Sequence, residues 1–90
     1  MILEIFNELQ ILLSDLVFSG ADNIDDDFIE KINLIEKKLN KFEMNFAKNL
    51  IEDLIISLKE YKKNKDIKKV SKNISKLEFY LSYALFNLSD

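Results

Sequence analysis

The chain has no cysteine, histidine, arginine, proline, threonine or tryptophan, and a single glycine. Each absence closes a route. Without Cys there is no disulfide to brace a small fold, and without Cys or His there is no structural zinc site. Without His no side chain titrates near neutrality to carry protons, and there is no thiol nucleophile. No Gly-rich loop is present to cradle a phosphate. Sheets draw on β-branched residues and Gly/Pro turns, and apart from Ile and two Val this chain lacks both. No stretch approaches the ~18 uncharged apolar residues of a membrane span. The opening residues Met1-Ile2-Leu3-Glu4-Ile5-Phe6-Asn7-Glu8 carry acids and no base, which does not fit a secretory leader. The expectation is a cytoplasmic protein with no metal, no cofactor and no membrane anchor.

What remains is the vocabulary of helices. The ninety residues are 48% hydrophobic and 32% charged, rich in Leu, Ile, Lys, Glu and Asn. That length makes one domain, covering 1–90, whose small core needs good helix packing or association to be stable. All thirteen basic residues are Lys. This skew, with abundant Asn and Ile, fits an AT-rich genome and points to a bacterial or phage origin.

Apolar spacing divides the chain. A first helix over about Ile2 to Ser19 carries a core stripe of Ile2, Ile5, Phe6, Leu9, Leu12, Leu13 and Leu16. Gly20 follows where a left-handed C-terminal residue is wanted. Asp22 or Asn23 is placed to cap the next helix, with Asp25, Asp26 and Asp27 in its first turn. The second stripe runs Ile24, Phe28, Ile32, Ile35, Leu39, Phe42, and a third runs Ala47, Leu50, Ile51, Leu54, Ile55, Leu58, Tyr61. No Pro or Gly separates these two. An unbroken helix from Ile24 to Lys62 would be about 58 Å long, and the first helix, at about 27 Å, could cover only half of it. A break near Asn40–Met44, with Asn45 as cap, is therefore expected. A turn at Lys62–Lys65, with Asn64 as the left-handed residue, leads to Asp66 as cap of a last helix. That helix carries Ile67, Val70, Ile74, Leu77, Leu81, Ala84 and Leu88 on its core face. The expected fold is all-α, a small antiparallel four-helix bundle. The alternative is a three-helix bundle with one long central helix.

Charge is segregated as well. Residues 1–30 hold eight acids and no lysine, whereas residues 59–76 hold eight lysines against Glu60 and Asp66. An up-down-up-down bundle brings the acidic first turn and the lysine third turn to the same end, and a three-helix layout separates them.

Few groupings could carry chemistry. The run Asp22–Glu30 lacks the Gly and alternating oxygen ligands of a calcium loop, and its acids suit a helix start. Di-metal bundles need Glu-x-x-His motifs that a His-free chain cannot supply. The serines have no general base nearby beyond Lys and carboxylates. An enzyme is not expected.

The last helix has a second stripe, opposite its core face: Lys65, Lys69, Lys72 and Lys76, then Phe79, Tyr83 and Phe86. A small bundle has one interior, so the aromatic half requires its own partner. Ile11 and Phe18 form a lesser surplus off the main face of the first helix. The leading expectation is a non-catalytic protein–protein interaction module, self-associating as a homodimer or acting as a small subunit of a bacterial or phage assembly. Phe79, Tyr83 and Phe86 are its anchors, with Ile11 and Phe18 contributing. One alternative is a small acidic inhibitor or immunity-type protein that blocks a basic target through Asp22, Asp25, Asp26 and Asp27. A second is a weak nucleic-acid binder using Lys65, Lys69, Lys72 and Lys76. The absence of Arg and the net charge of −3 weigh against that second alternative.

Overall fold

The computed structural model describes residues 2–88, with Leu88 of the expected core stripe outside the described side chains. Its helices are α1 (Ile2–Ser19), α2 (Asp26–Lys41), α3 (Asn45–Asn64) and α4 (Ile67–Leu88), with a one-turn 3-10 segment at Ala21–Asn23 between the first two. The four helices form an antiparallel bundle 40 Å long and 22 by 19 Å across. Each packs on its chain neighbours, and α1 closes the ring against α4.

Periodicity explains which residues turn inward. Phe6, Leu9, Leu13 and Leu16 of α1 meet Ile32, Ile35 and Leu39 of α2, Ile51, Leu54 and Leu58 of α3, and Val70, Leu77 and Leu81 of α4 in one continuous core. Ser57 is the only polar member among the described residues, and its hydroxyl donates to the Leu54 carbonyl at 2.8 Å. That bond is why a hydroxyl is tolerated there. Several stripe positions differ from the sequence expectation: Ile2, Phe28, Leu50, Ile74 and Ala84 are only half-buried, at the margins of the core. Ile24 precedes α2 and is half-buried, while Phe42 and Ile67 are exposed because they sit at helix ends, beyond the reach of neighbouring helices. Ile29, off the expected stripe, is buried instead.

The helix ends also redistribute the expected roles. Asp25, not Asp22 or Asn23, caps α2 by accepting from the Phe28 N–H at 2.9 Å. Asp22 is thereby left to act across the bundle. Asp66 caps α4 as expected, accepting from the Lys68 N–H at 3.1 Å. The left-handed residue of the third turn is Lys65 (φ 57°), and Asn64 instead accepts from the Asp66 N–H at 2.8 Å.

The break between α2 and α3 is present and is made without Gly or Pro. The Met44 N–H returns to the Leu39 carbonyl and the Glu43 N–H to the Asn40 carbonyl, both at 3.1 Å. These are the paired bonds of a Schellman ending. They require a left-handed residue at position 43, and Glu43 adopts φ 57°. Met44, half-buried, packs back on the core and is the residue preceding α3. Asn45 is already helical and is not the cap, and Met44 offers no side-chain cap bond. A side-chain acceptor is missing at that N-terminus, so packing of Met44 and Ala47 holds the start of α3.

Candidate interaction surface

α4 is the longest helix, with 22 residues, yet only Val70, Leu77 and Leu81 of its described side chains are fully buried. α1, four residues shorter, buries six. The difference is the outward stripe of α4. Phe79 is 81% exposed and Tyr83 67% exposed, and Phe86 is exposed beside them. The helix is therefore not wrapped on all sides.

These rings are not isolated. Tyr80, between the two stripes, stands edge-on to the buried Phe6 with centroids 5.9 Å apart, and its other side meets Phe46 at 5.5 Å. Burial pushes the Tyr80 phenol pKa up, so it stays neutral in this contact. Phe46, in the first turn of α3, is itself 66% exposed. Phe46, Leu50, Phe79, Tyr80 and Tyr83 line an open groove of about 630 Å³ between α3 and α4, with Lys76 and Ser75 at its rim. The lining is nearly all apolar, which is the composition of an interface core rather than of ordinary surface. Phe42 ends α2 at this same end of the bundle and is also exposed.

Ile11 and Phe18 are exposed too, Phe18 at 95%. They do not join the groove. They lie on the outward side of α1, whereas the α1–α4 seam is lined by Gln10, Ser14, Glu78 and Ser82 above the buried Leu13 and Leu81. Phe18 also lies near the C-terminus of α1, at the opposite end of the bundle from Phe79 and Tyr83.

The opposite end is polar and internally satisfied. Asp22 accepts from the Tyr61 hydroxyl at 3.0 Å and from Lys65 Nζ at 3.2 Å, and Lys65 Nζ lies 5.1 Å from the Tyr61 ring centre. Lys62 pairs with Asp26 at 3.1 Å. The hydrogen bond from Tyr61, reinforced by Lys65, holds the Asp22 pKa below its ordinary value. The same bond raises that of Tyr61, because ionised phenol could not donate it. Three of the four aspartates of the acidic run thus have work inside the fold: Asp22 and Asp26 tie the first turn to the third, and Asp25 caps α2.

The lysine half of the α4 stripe is partly answered from α3. Lys69 pairs with Glu60 at 3.6 Å. Lys72 and Lys76 flank a polar cleft that also contains Asp53 and Glu60, and the Asn73 amide donates to the Asp53 carbonyl at 3.2 Å. Acids of α3 therefore dilute the cationic field that phosphates would need.

Sequence reasoning placed Phe79, Tyr83 and Phe86 off the core face, with Tyr80 to one side, but missed Phe46 and Leu50 as their neighbours across the groove. Leu50 reads as core because it lies on the α3 stripe, and it is only half-buried. The one sequence signal for Phe46 was an aromatic placed off that stripe. Among the described residues there is no acid, His or Cys cluster able to hold a metal ion, and no helix is long and apolar enough to cross a membrane. No family model, curated protein or solved structure matches the chain.

Proposed function

We propose that this protein is a non-catalytic protein–protein interaction module that docks through the aromatic end of α4, self-associating or serving as a small subunit of a bacterial or phage assembly. One observation carries the reading: Phe79 and Tyr83 stand open to solvent beside an apolar groove that the bundle's own residues leave unfilled. Aromatic side chains around such a groove are the usual anchors of protein interfaces. The acidic end supports the inhibitor alternative less well, since Asp22, Asp25 and Asp26 are already engaged within the chain. The α3 acids do the same to the nucleic-acid alternative.

Site-specific photocross-linking tests the reading. A photoreactive phenylalanine analogue at position 79, in the protein expressed in living cells, should capture a protein, either a second copy or another chain. The same group at the exposed Lys31 of α2 should capture far less. Equal or absent capture at both positions would reject the docking face.

A further inference from the structure

We infer that the second turn, Phe42-Glu43-Met44, is a hinge through which two copies of the chain exchange halves, α1–α2 of one packing on α3–α4 of the other. This rests on the build of that turn and is independent of the docking face.

The chain reversals are made differently. The first has Gly20 in a positive-φ conformation that glycine tolerates, and the Asp25 carboxylate caps the helix that follows. The third has Asn64 and Asp66, whose side chains accept from the Asp66 and Lys68 N–H groups. Its left-handed Lys65 reaches Asp22 of the first turn at 3.2 Å, so these two reversals also hold each other. The second turn has none of these devices. No Gly or Pro stands between α2 and α3. Met44 gives α3 no side-chain cap. Glu43 is held at φ 57°, where its Cβ is strained, and no polar contact of its side chain offsets that strain. Only the backbone bonds to Leu39 and Asn40, with Met44 against the core, keep the turn closed. A short turn under strain favours exchange of the elements it joins.

The exchange preserves the contacts between the halves and changes only which chain supplies them. In one chain α2 packs on α3 and α1 on α4. Across the same division Phe6 meets Tyr80, Asp22 accepts from Tyr61, and Lys62 pairs with Asp26. In the exchanged dimer each of these runs between copies. Glu43 leaves the left-handed region in both chains, and that relief is the gain that sets the dimer against the monomer. Leu39 and Ala47 would lie about 80° apart around one straight helix, so the opened segment joins the halves with a bend and not as one unbroken helix. Neither half can bury its apolar face alone, since Leu9, Ile32 and Leu39 share one core with Ile51, Leu54 and Leu77. Exchange therefore passes through opened chains, and monomer and dimer interconvert slowly.

Isotope-mixed cross-linking reads the exchange directly. Equal amounts of light-nitrogen and heavy-nitrogen chains are unfolded together in urea, refolded at high concentration and separated by size. Carbodiimide then couples the Lys62 amine to the Asp26 carboxylate, which are 3.1 Å apart. In the dimer fraction, linked peptides with one light and one heavy member should be as frequent as peptides with two alike. The monomer fraction should hold only like pairs. A dimer docked face to face would also hold only like pairs, so exchange and docking are told apart. Glu43→Gly removes the strain from the closed turn, and each dimer has two hinges, so its dissociation constant should rise about a hundredfold in sedimentation equilibrium. Glu43→Val, a β-branched residue poorly suited to the left-handed region, should lower it. Like pairs alone in the dimer fraction, no dimer at any refolding concentration, or a dissociation constant unmoved by Glu43→Gly would overturn the inference.

Discussion

The two ends of this bundle solve the same problem in opposite ways. Where the first and third turns meet, Asp22, Asp26, Tyr61, Lys62 and Lys65 find one another, and the polar groups left by chain reversal are answered within the molecule. Where the second turn meets the last turns of α4, Phe42, Phe46, Phe79 and Tyr83 remain exposed. Polar groups can be satisfied by a few well-aimed partners at a surface. Apolar area can be satisfied only by being covered, and a ninety-residue chain has little surface to spare for covering. The contrast identifies one end as a closed cap and the other as the end that meets something else. Phe18 is the largest exception, an exposed ring at the polar end near the exposed Val17 and Ile67, and nothing in the structure explains it.

Substitutions on opposite sides of α4 should separate sharply. Leu81→Ala empties a fully buried site and should cost about 2–5 kcal/mol in denaturant unfolding. Phe79→Ala, two residues away, should change the stability of the dilute protein by no more than about 0.5 kcal/mol. A large loss at Phe79 would mean that the aromatic end belongs to the core and would erase the distinction between the ends.

Capping comes next in size. Asp25→Ala removes the acceptor of the Phe28 N–H and should lower stability by about 1 kcal/mol. No equivalent loss is expected from Asn45→Ala, because Asn45 is not a cap; chemical denaturation of the two variants side by side makes the comparison.

The two left-handed residues offer a finer test. Left-handed geometry strains any residue with a Cβ, by about 1–2 kcal/mol. Glu43→Gly relieves it and should gain about 0.5–1 kcal/mol after the extra freedom glycine has when unfolded. Lys65→Gly relieves the same strain at the polar end but discards the ammonium that bridges Asp22 and the Tyr61 ring, so its gain should be smaller. Equal gains would show that the polar contacts contribute nothing.

The smallest effects are those of pH. The Asp22 pKa is lowered by folding, so its contribution is present above the ordinary carboxylate range and fades as pH falls through the lowered value. The Tyr61 pKa is raised, so its contribution is full below the ordinary phenol value and is lost as pH rises through the raised one. Asp22→Asn should flatten both limbs of a Tm-against-pH profile. Persistence of both limbs in that variant would assign them to other groups. Added salt should weaken the Lys62–Asp26 contribution, since that pair is exposed.

Sequence by itself determined the helices and their inward faces. The spacing of Leu9, Leu13 and Leu16, or of Ile51, Leu54 and Leu58, admits one buried side on a 3.6-residue helix whatever it packs against. Charge segregation added the topology, because only an up-down-up-down path joins Asp22 to Lys65. Tertiary structure alone decided the rest. Asp22 forgoes capping for a cross-bundle bond to Tyr61, a partner 39 residues away that no local pattern discloses. Glu43 takes a strained left-handed turn because Leu39 and Met44 both pack on the core. Phe46 and Leu50 meet Phe79, Tyr80 and Tyr83 only because α3 and α4 lie antiparallel. Periodicity is a property of one helix and can be read along the chain, but a groove belongs to two helices and exists only once they are side by side.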